Sequence, residues 1–331
     1  MPKFSVIIPV YNRPQEVDEL LGSLTEHSFS DFEIVFVEDG STEPCKDIID
    51  PYKEKFTIIY HFKENSGPGD SRNVGMTLAK GEWFIFFDSD CLIPAGWFEA
   101  VEAHLAANPL DAFGGPDAAD PSFNRLQKAI NFSMTSFLTT GGVRGKKKSL
   151  DTYQPRSFNM GLKREVFEKV GGFGNIHPGE DPDLSYRIMK DGFKTGFIPG
   201  AKVFHKRRIN FKKFYKQVYK FGVVRPILMK WHPEHRKLTY FFPSLFLVGS
   251  VILLFLGIFT NGFFFLPLLL FCTLIFLASF FQTGDLLIAG MAIVTSLIQL
   301  WGYGWGFLKS FIQILLLGGE EKKKFPDFFF R

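Results

Sequence analysis

A long uncharged segment is the feature that most restricts how this chain can fold. From Leu238 to Gly284 the sequence contains no Asp, Glu, Lys or Arg, and it is rich in Phe, Leu and Ile. Such a segment is too long for a buried helix of a soluble domain and is typical of membrane-spanning helices. We predict spans over Phe241 to Phe259 and Phe263 to Phe281, and a third span or a broken membrane helix over Leu286 to Leu317.

Basic residues cluster directly before the uncharged segment, in the order Lys206, Arg207, Arg208, Lys212, Lys213, Lys216, Lys220, Arg225, Lys230, Arg236 and Lys237. Within this cluster, apolar residues at helical spacing alternate with lysines, which indicates an amphipathic helix in the membrane interface. The cluster is either a solvated basic face or, as its position favours, a contact for the headgroups of anionic membrane lipids. No nucleic-acid-binding module is visible, so nucleic acid is not an expected partner.

The same charges predict the orientation of the chain. Positively charged segments beside membrane spans remain in the cytoplasm, so we expect a multi-pass protein of the inner (plasma) membrane with a cytoplasmic N-terminal domain. Lys322, Lys323 and Lys324 should also be cytoplasmic, which requires an even number of spans and conflicts with a full third span. Residues 1–9 lack the long apolar region of a signal peptide. The three scattered cysteines fit a reducing compartment.

Before the basic cluster, strand and helix patterns alternate along the chain. Asn12 is expected to cap the first helix, and later helices are expected from about Thr42 to Tyr52 and from Pro94. This alternation predicts an α/β fold with a largely parallel sheet and helices on both faces. The predicted strands are Phe4–Pro9, Phe32–Val37, Thr57–His61, Trp83–Phe87 and, later, about Thr195–Ile198.

Polar side chains follow three of the predicted strands, at Pro9 to Asn12, Glu38 to Ser41 and Asp88 to Asp90. Ligands of parallel sheets bind beyond the carboxyl ends of the strands, where these residues would meet. Asp88 and Asp90 flank Ser89 after an apolar strand, and two carboxylates so placed suit a hard divalent cation such as Mn²⁺ or Mg²⁺. Read alone, the same pattern is also common in simple turns.

Three further positions have both a structural and a chemical interpretation. His205 is either a structural histidine or a ligand of the same metal ion. Glu180 and Asp181 begin a predicted helix, where they either stabilise the helix start or provide a general base. Arg72 is either a surface residue or a partner of a diphosphate, whose oxygens suit a planar guanidinium.

Taken in order, the motifs resemble those of family 2 glycosyltransferases. The resemblance covers about residues 4 to 205 and implies the GT-A fold, a nucleotide-sugar-binding α/β fold with a Rossmann-like mixed sheet. The matching segments are Val6-Ile7-Ile8-Pro9-Val10-Tyr11-Asn12, Val37-Glu38-Asp39-Gly40-Ser41, Ser71-Arg72-Asn73-Val74-Gly75, Phe87-Asp88-Ser89-Asp90, Gly171-Gly172-Phe173, Gly179-Glu180-Asp181-Pro182-Asp183-Leu184 and Val203-Phe204-His205.

The resemblance assigns expected roles by position. It implies an inverting enzyme with Mn²⁺ or Mg²⁺ as cofactor, in which Asp181 is the catalytic base and Glu180 its catalytic neighbour. Glu38 stands where the family usually has Asp. The implied nucleotide-sugar site comprises Pro9, Tyr11, Asn12, Glu38, Asp39, Arg72, Asp88, Ser89 and Asp90, and the implied metal ligands are Asp88, Asp90 and His205.

The expected partners are a nucleotide-diphosphate sugar, with a UDP-sugar favoured, a lipid-linked or glycan acceptor, and membrane lipids. Processive members of the family carry Gln-x-x-Arg-Trp, which Gln217-Val218-Tyr219-Lys220-Phe221 matches only in type, so we favour transfer of one sugar. The alternatives are a processive polysaccharide synthase, an inactive glycosyltransferase-like scaffold and a nucleotidyltransferase. The expected regions are a catalytic domain (1–208), basic interfacial helices (209–237), two or three transmembrane helices (238–318) and a tail (319–331).

Overall fold

The computed structural model describes residues 1–118, 123–140, 153–205 and 210–330. These residues form two compact units. Unit 1 comprises Met1–Asp120, Lys147–Lys206 and Asp327–Arg331, and unit 2 comprises Pro121–Lys146 and Arg207–Pro326. The chain therefore returns to unit 1 after the apolar segment, a return that no sequence pattern had indicated.

Two sheets form the centre of unit 1. The strands are β1 (Phe4–Val10), β2 (Phe32–Asp39), β3 (Ile58–Lys63), β4 (Trp83–Phe87), β5 (Cys91–Leu92), β6 (Ala112–Gly114), β7 (Asp117–Ala118), β8 (Asn159–Lys163), β9 (Thr195–Phe197) and β10 (Val203–His205). The larger sheet has the order β3-β2-β1-β4-β8-β6-β9 and the smaller one the order β5-β10-β7. Strands β1 to β4 are parallel, whereas β8 is antiparallel to both β4 and β6. The α/β class and the mixed sheet are thus confirmed.

Burial explains why β2 and β4 form central strands. Every residue of both strands is buried, and β4 consists only of Trp, Phe and Ile. Aromatic and β-branched side chains suit strands that are covered on both faces. The parallel pairing of β1, β2 and β4 brings their carboxyl ends to one edge, which is where the polar motifs lie.

Helices of unit 1 cover both faces of the larger sheet. They are α1 (Pro14–Leu24), α2 (Lys46–Ile49), α3 (Pro68–Leu78), α4 (Trp97–Ala107), α7 (Arg164–Val170) and α8 (Glu180–Lys190), numbered along the whole chain. Val17, Leu20 and Leu21 of α1 pack with Val6 and Ile8 of β1 in one core cluster. Met76 of α3 packs in a second cluster, which also contains residues of β1, β2 and β4.

Asn12 does not cap the first helix, contrary to the sequence prediction. The N-cap position belongs to Arg13, which makes no side-chain capping bond. Asn12 instead adopts a positive φ of 53°, and its side-chain oxygen accepts hydrogen bonds from the amides of Thr42 and Glu43 at 2.8 and 3.1 Å. Asn tolerates this left-handed backbone conformation better than most residues, so it joins two loops rather than starting a helix.

Other boundaries also differ from the prediction. The expected helix from Thr42 to Tyr52 is only the short α2 followed by a 3₁₀ turn, and α4 begins at Trp97 rather than at Pro94. Strands β6 and β8 were missed because they are short and contain Gly or Lys. Their place in the sheet depends on a tertiary fit, since a Cβ on Gly161 would lie 2.1 Å from the ring of Phe113.

Unit 2 is helical. Its helices are α5 (Arg125–Thr135), α6 (Phe137–Thr140), α9 (Phe211–Trp231), α10 (Phe242–Phe259), α11 (Leu266–Thr283), α12 (Leu286–Ser310) and α13 (Glu321–Lys324), and a π-helical turn, Phe311–Leu316, continues α12. Three segments of the described chain are long and apolar enough to cross a membrane, namely Leu238–Phe259, Gly262–Thr283 and Leu286–Leu316. The third is more buried inside the protein than the other two.

Glycines bring α9 and α12 into close contact. A Cβ on Gly222 of α9 would lie 2.2 Å from the carbonyl oxygen of Tyr303. Likewise, a Cβ on Gly306 of α12 would lie 2.3 Å from the carbonyl oxygen of Tyr219. Small residues at these positions let the two backbones approach, so the basic helix α9 lies directly against the second half of α12.

Substitution by alanine should have opposite effects on stability at two helix glycines of unit 1. A Cβ on Gly75 of α3 would lie 2.4 Å from Cγ2 of Ile7, whereas one on Gly22 of α1 meets nothing within 4 Å. We expect Gly75→Ala to lower the free energy of unfolding by about 1–3 kcal/mol, because it overpacks the core. Gly22→Ala, the matched control, should raise it by about 0.5–1 kcal/mol. Thermal and denaturant unfolding of the purified variants would measure both, and a stabilising Gly75→Ala would contradict the close packing.

Candidate functional site

A buried arginine connects three elements at the carboxyl edge of the larger sheet. Arg72 lies on α3 with only 4 % of its side chain exposed. Its Nη2 donates to Oδ1 of Asp88, after β4, at 2.6 Å, and its Nη1 lies 3.7 Å from Oε1 of Glu180, the first residue of α8. Burial opposes the charge of Arg72, but Asp88, Asp181 and Glu180 outweigh it and raise the pKa of the guanidinium. The arginine is therefore a permanent cation at the centre of the candidate site.

Glycines allow these elements to meet. Gly67 precedes α3 with a φ of 94°, a conformation that residues with a Cβ rarely adopt. A Cβ on Gly69 in the first turn of α3 would lie 3.0 Å from the carbonyl oxygen of Gly174 and 3.8 Å from Cβ of Glu180. Helix α3 can therefore approach the start of α8 closely enough for Arg72 to pair with Glu180.

Glu180 and Asp181 are adjacent residues whose carboxyl pKa values shift in opposite directions. Glu180 pairs with Nδ1 of His177 at 2.8 Å. Burial opposes ionisation of Glu180, but His177 and then Arg72 outweigh it, and the pKa of Glu180 lies below its usual value. Burial and the negative charge of Glu180 instead raise the pKa of Asp181 to about 6.

Asp181 has one bonded and one open carboxylate oxygen. The side chain of Ser157 donates a hydrogen bond to the carboxylate, which partly offsets the rise in its pKa. Among the described residues, Oδ1 of Asp181 is buried and has no hydrogen-bond partner. A buried carboxylate with a raised pKa and an open oxygen has the properties of a general base.

Asp88 and Asp90 form the acidic part of the site. Asp90 lies 3.4 Å from Nη1 of Arg13, and the side chains of Asp88 and Asp90 are 31 % and 16 % exposed. Ser89 between them is buried. Strand β10 pairs with β5 so that the backbone of His205 lies opposite Cys91, the residue after Asp90.

The donor set at this position suits a hard divalent cation. Two carboxylates follow β4, and the β5–β10 pairing brings the backbone of a histidine beside them. The side chain of His205 lies outside the part of the chain that the structure describes. Among the described side chains, no group of three or more His, Cys, Asp and Glu could hold a metal ion.

Glu38 and Asp39 hold two loops at the end of β2. Glu38 is buried, and its carboxylate accepts hydrogen bonds from Ser41, from the amide of Cys45 at 2.9 Å and from the hydroxyl of Tyr60 at 3.2 Å. The sequence interpretation placed this side chain in the nucleotide site, and that role stays a prediction. In the structure it joins β2, the loop after β2 and β3.

Asp39 binds the loop between β3 and α3. Its carboxylate accepts hydrogen bonds from the amides of Ser66 and Gly67 at 3.0 and 2.9 Å and pairs with Lys63. The side chain of Asn65 donates to its carbonyl oxygen at 2.8 Å. Asp39 therefore determines the conformation of residues 63–67, which lead into the helix that carries Arg72.

The three predicted residues after β1 have different environments. Pro9 lies within β1 beyond the last residue paired with β4, so its missing amide hydrogen costs no bond on that side. Tyr11 is 52 % exposed. Asn12 faces the loop after β2, as described above.

Sequence reasoning missed four residues of the site, namely Arg13, Lys63, Ser157 and His177. Lys63 is the last residue of β3, at the same sheet edge as the predicted motifs, and His177 precedes Glu180 by three residues, so position offered a weak signal for both. Ser157 had no such signal. It lies before β8, a strand that the sequence analysis did not recognise.

Acidic and basic side chains gather at the carboxyl edge of this sheet. The class of protein with this arrangement is the nucleotide-sugar-binding proteins with the GT-A fold. The family model "Glycosyl transferase family 2" matches residues 5–171. The chain belongs to glycosyltransferase family 2, as its motifs had suggested.

Curated relatives agree with this assignment. An uncharacterised glycosyltransferase of Haemophilus influenzae is 42 % identical over 196 residues, which is 56 % of this chain and 62 % of that protein. The poly(ribitol-phosphate) beta-N-acetylglucosaminyltransferase TarS of Staphylococcus aureus is 43 % identical over 94 residues, but the match spans only 27 % of this chain and 16 % of TarS.

Among solved structures, the mannosyltransferase PcManGT from Pyrobaculum calidifontis, in complex with GDP-Man and Mn²⁺, matches with a TM-score of 0.60 and 17 % identity. That match covers 93 % of this chain and 87 % of PcManGT. Residues 1–349 of S. aureus TarS in complex with UDP-GlcNAc match with a TM-score of 0.50 and 20 % identity, over 67 % of each chain. At these identities the likeness shows the fold alone.

Removing Arg72 should destabilise the protein strongly. Arg72→Ala removes the buried cation that pairs with Asp88 and Glu180, and deleting one partner of a buried ion pair costs about 3–5 kcal/mol. Lys53→Ala is the matched control, because Lys53 and Asp50 form an exposed pair with side chains 44 % and 45 % exposed, and such a pair contributes less than about 1 kcal/mol. Denaturant unfolding of both variants would measure the difference, and equal effects would contradict the central role of Arg72.

Proposed function

We propose that this protein is an inverting, metal-dependent glycosyltransferase that moves one sugar from a nucleotide-diphosphate sugar to a lipid-linked acceptor. The observation that carries the proposal is the cluster of Arg72, Asp88, Glu180 and Asp181, which combines an anion-binding cation with a candidate base. We infer a role in glycolipid or surface-polysaccharide synthesis. Two relatives support this inference, TarS of S. aureus and the minor teichoic acid biosynthesis protein GgaB of Bacillus subtilis.

The donor would lie along the carboxyl edge of β1, β2 and β4. We assign the nucleobase of the donor to one part of the site, formed by Pro9, Tyr11, Asn12, Glu38 and Asp39. We assign the diphosphate of the donor to the other part, formed by Arg72, Asp88, Ser89 and Asp90. The exposed ring of Tyr11 and the buried charge of Arg72 support this division. A UDP-sugar is our preferred donor, and the TarS complex with UDP-GlcNAc is consistent with it.

Asp88, Asp90 and His205 would hold Mn²⁺ or Mg²⁺. When bound, the metal supplies positive charge that stabilises the leaving nucleoside diphosphate. Arg72 would contribute positive charge from the protein itself. Asp88 would then serve both cations, since its Oδ1 is already 2.6 Å from Nη2 of Arg72.

Asp181 would act as the general base. The acceptor hydroxyl attacks the anomeric carbon on the face opposite the diphosphate, and its proton passes to Oδ1 of Asp181. The bond between the anomeric carbon and the diphosphate oxygen breaks, and its electron pair leaves with the nucleoside diphosphate. Glu180, paired with His177, would keep a negative charge beside Asp181 and so strengthen it as a base.

The chemistry of this site also separates the rival functions. An inactive scaffold would not need a buried carboxylate with an open oxygen beside a buried arginine. A nucleotidyltransferase would release pyrophosphate, whereas the proposed reaction releases nucleoside diphosphate. A processive synthase would make a polymer, and we disfavour it because Lys220 and Phe221 stand where such enzymes have Arg and Trp.

Replacing Asp181 should abolish transfer while preserving the fold. Asp181→Asn is expected to lower kcat by about 10²–10⁴-fold, because the acceptor proton has no base. Wild-type activity should fall as the pH decreases through about 6, where Asp181 gains a proton and ceases to act as a base. The measurement is nucleoside diphosphate release from a panel of nucleotide sugars, with and without Mn²⁺, across pH 5 to 8.

Asp191→Asn is the matched control, since Asp191 lies at the other end of the same helix and is exposed. It should behave like the wild type. Full activity of Asp181→Asn would rule out the assigned base, and activity independent of any divalent cation would rule out the metal. Release of pyrophosphate, or a polymeric product, would support one of the rival functions.

Hydrogen bonds within unit 2 support an even number of membrane crossings. Glu321 of α13 accepts hydrogen bonds from Nζ of Lys230 at 2.8 Å and from Nε1 of Trp231 at 2.7 Å. Lys230 and Trp231 precede the three candidate spans, and Glu321 follows them. Residues joined in this way lie on one side of a membrane, so we propose that two of the three candidates cross it.

We propose that α10 and α11 are the two spans and that α12 lies at the interface. The second half of α12 packs against α9, which carries Lys216 and Lys220. Hydrocarbon would exclude these charges, so this half of α12 stays near the headgroups with α9. The remaining residues, about 286–297, are too few for a span, which requires about 20 residues. The basic residues of α9 would then face anionic lipids, with the catalytic domain in the cytoplasm.

Cysteine labelling tests this topology. In a chain carrying Cys272→Ser, with Cys45 and Cys91 buried, we introduce Asn261→Cys or Lys323→Cys and apply a membrane-impermeant maleimide to intact cells. The cysteine at position 261 should react from outside, because the turn between the spans α10 and α11 would lie on the outer side of the membrane, and that at 323 only after permeabilisation. Reaction of position 323 in intact cells would indicate three spans.

A further inference from the structure

A segment near the end of the chain forms part of unit 1. We call residues 327–330 the return segment. Its Phe329 forms an antiparallel bridge with Ile176. The amide of His177 donates to the carbonyl oxygen of Phe328 at 2.8 Å, and the amide of Phe330 donates to the carbonyl oxygen of Asn175 at 3.0 Å. The return segment is therefore joined by backbone hydrogen bonds to the loop that leads into Glu180 and Asp181.

The ring of Phe330 also contacts a second loop of the site. A Cβ placed on Gly67 would lie 2.3 Å from Cδ2 of Phe330, so the ring rests directly on the backbone of Gly67. The ring of His177 lies on another side, with its centroid 5.9 Å from that of Phe330. One side chain thus lies against Gly67 and His177, which belong to loops far apart in the sequence, residues 63–67 and 174–179.

Both of these loops hold groups that the proposed reaction uses. The amide of Gly67 donates to Asp39, assigned to the nucleotide base, at 2.9 Å, and Gly67 also precedes the helix that carries Arg72. His177 holds Glu180 at 2.8 Å. The packing of Phe330 therefore supports both the residues assigned to the nucleobase and the residues assigned to catalysis.

We propose that Phe330 is a positioning residue for donor binding. It holds the loop of residues 63–67, which binds Asp39, and the loop of residues 174–179, which leads into Glu180, at the spacing that nucleotide-sugar binding requires. This proposal rests on the proposed glycosyltransferase function. Phe330 does not act on the reacting atoms. It acts through Gly67 and His177, and its effect should therefore fall on donor binding and on alignment rather than on acceptor binding.

The test compares Phe330→Ala, Phe330→Tyr and a matched control. Phe330→Ala removes the ring between the loops and should raise the KM for the donor, with a loss in kcat/KM of about tenfold or more, because small displacements of aligned groups are costly. The KM for the acceptor should not change. Phe330→Tyr keeps the ring and should restore most of the activity. Phe62→Ala, which removes a half-exposed phenylalanine from β3, should behave like the wild type.

Hydrogen exchange gives a readout that does not depend on turnover. In Phe330→Ala the amides of Gly67 and His177 should exchange faster, while those of β1 and β4 should not. A wild type that uses no nucleotide sugar would defeat the proposed function, and the exchange data would still decide whether Phe330 holds the loops. Unchanged exchange and an unchanged donor KM in Phe330→Ala would overturn this inference. So would an activity loss that only follows the amount of unfolded protein and that Phe330→Tyr does not reverse.

Discussion

The buried charge of Arg72 is the interaction on which the candidate site depends. A guanidinium with so little access to water requires compensation, and Asp88 and Glu180 supply it from the end of β4 and the start of α8. Burial and the negative charge of Glu180 raise the pKa of Asp181, whereas His177 and Arg72 outweigh burial and lower the pKa of Glu180. A single buried cation thereby joins α3, the end of β4 and the start of α8.

The loops around this cation are held by bonds within the chain. Asp39 binds the amides of Ser66 and Gly67, and the return segment binds the loop before Glu180. Glycines at positions 67 and 69 permit the close approaches that these bonds need. These bonds and close contacts hold the loops of the candidate site in place. In unit 2, the bonds from α9 to Glu321 similarly bring together residues from both ends of the apolar region.

Much of this arrangement was predictable from the sequence. The strands β1, β2 and β4 were recognisable because their apolar runs end in polar motifs. Strands β6 and β8 were not predictable, because three to five residues with Gly or Lys carry no periodic signal. The cap assigned to Asn12 was wrong because local sequence does not reveal that the loop after β2 lies within reach of its side chain.

By itself, the sequence determined the class of fold, the family and the acidic and basic motifs, because these depend on local patterns and on their order along the chain. It also indicated candidate membrane spans, and the structure has three segments long and apolar enough to cross a membrane. Only the tertiary structure decided the partners of these motifs: the pairing of Arg72 with Asp88 and Glu180, and the packing of Phe330 on Gly67. Contacts between residues far apart in sequence arise from the packing of whole elements, and no local pattern encodes them.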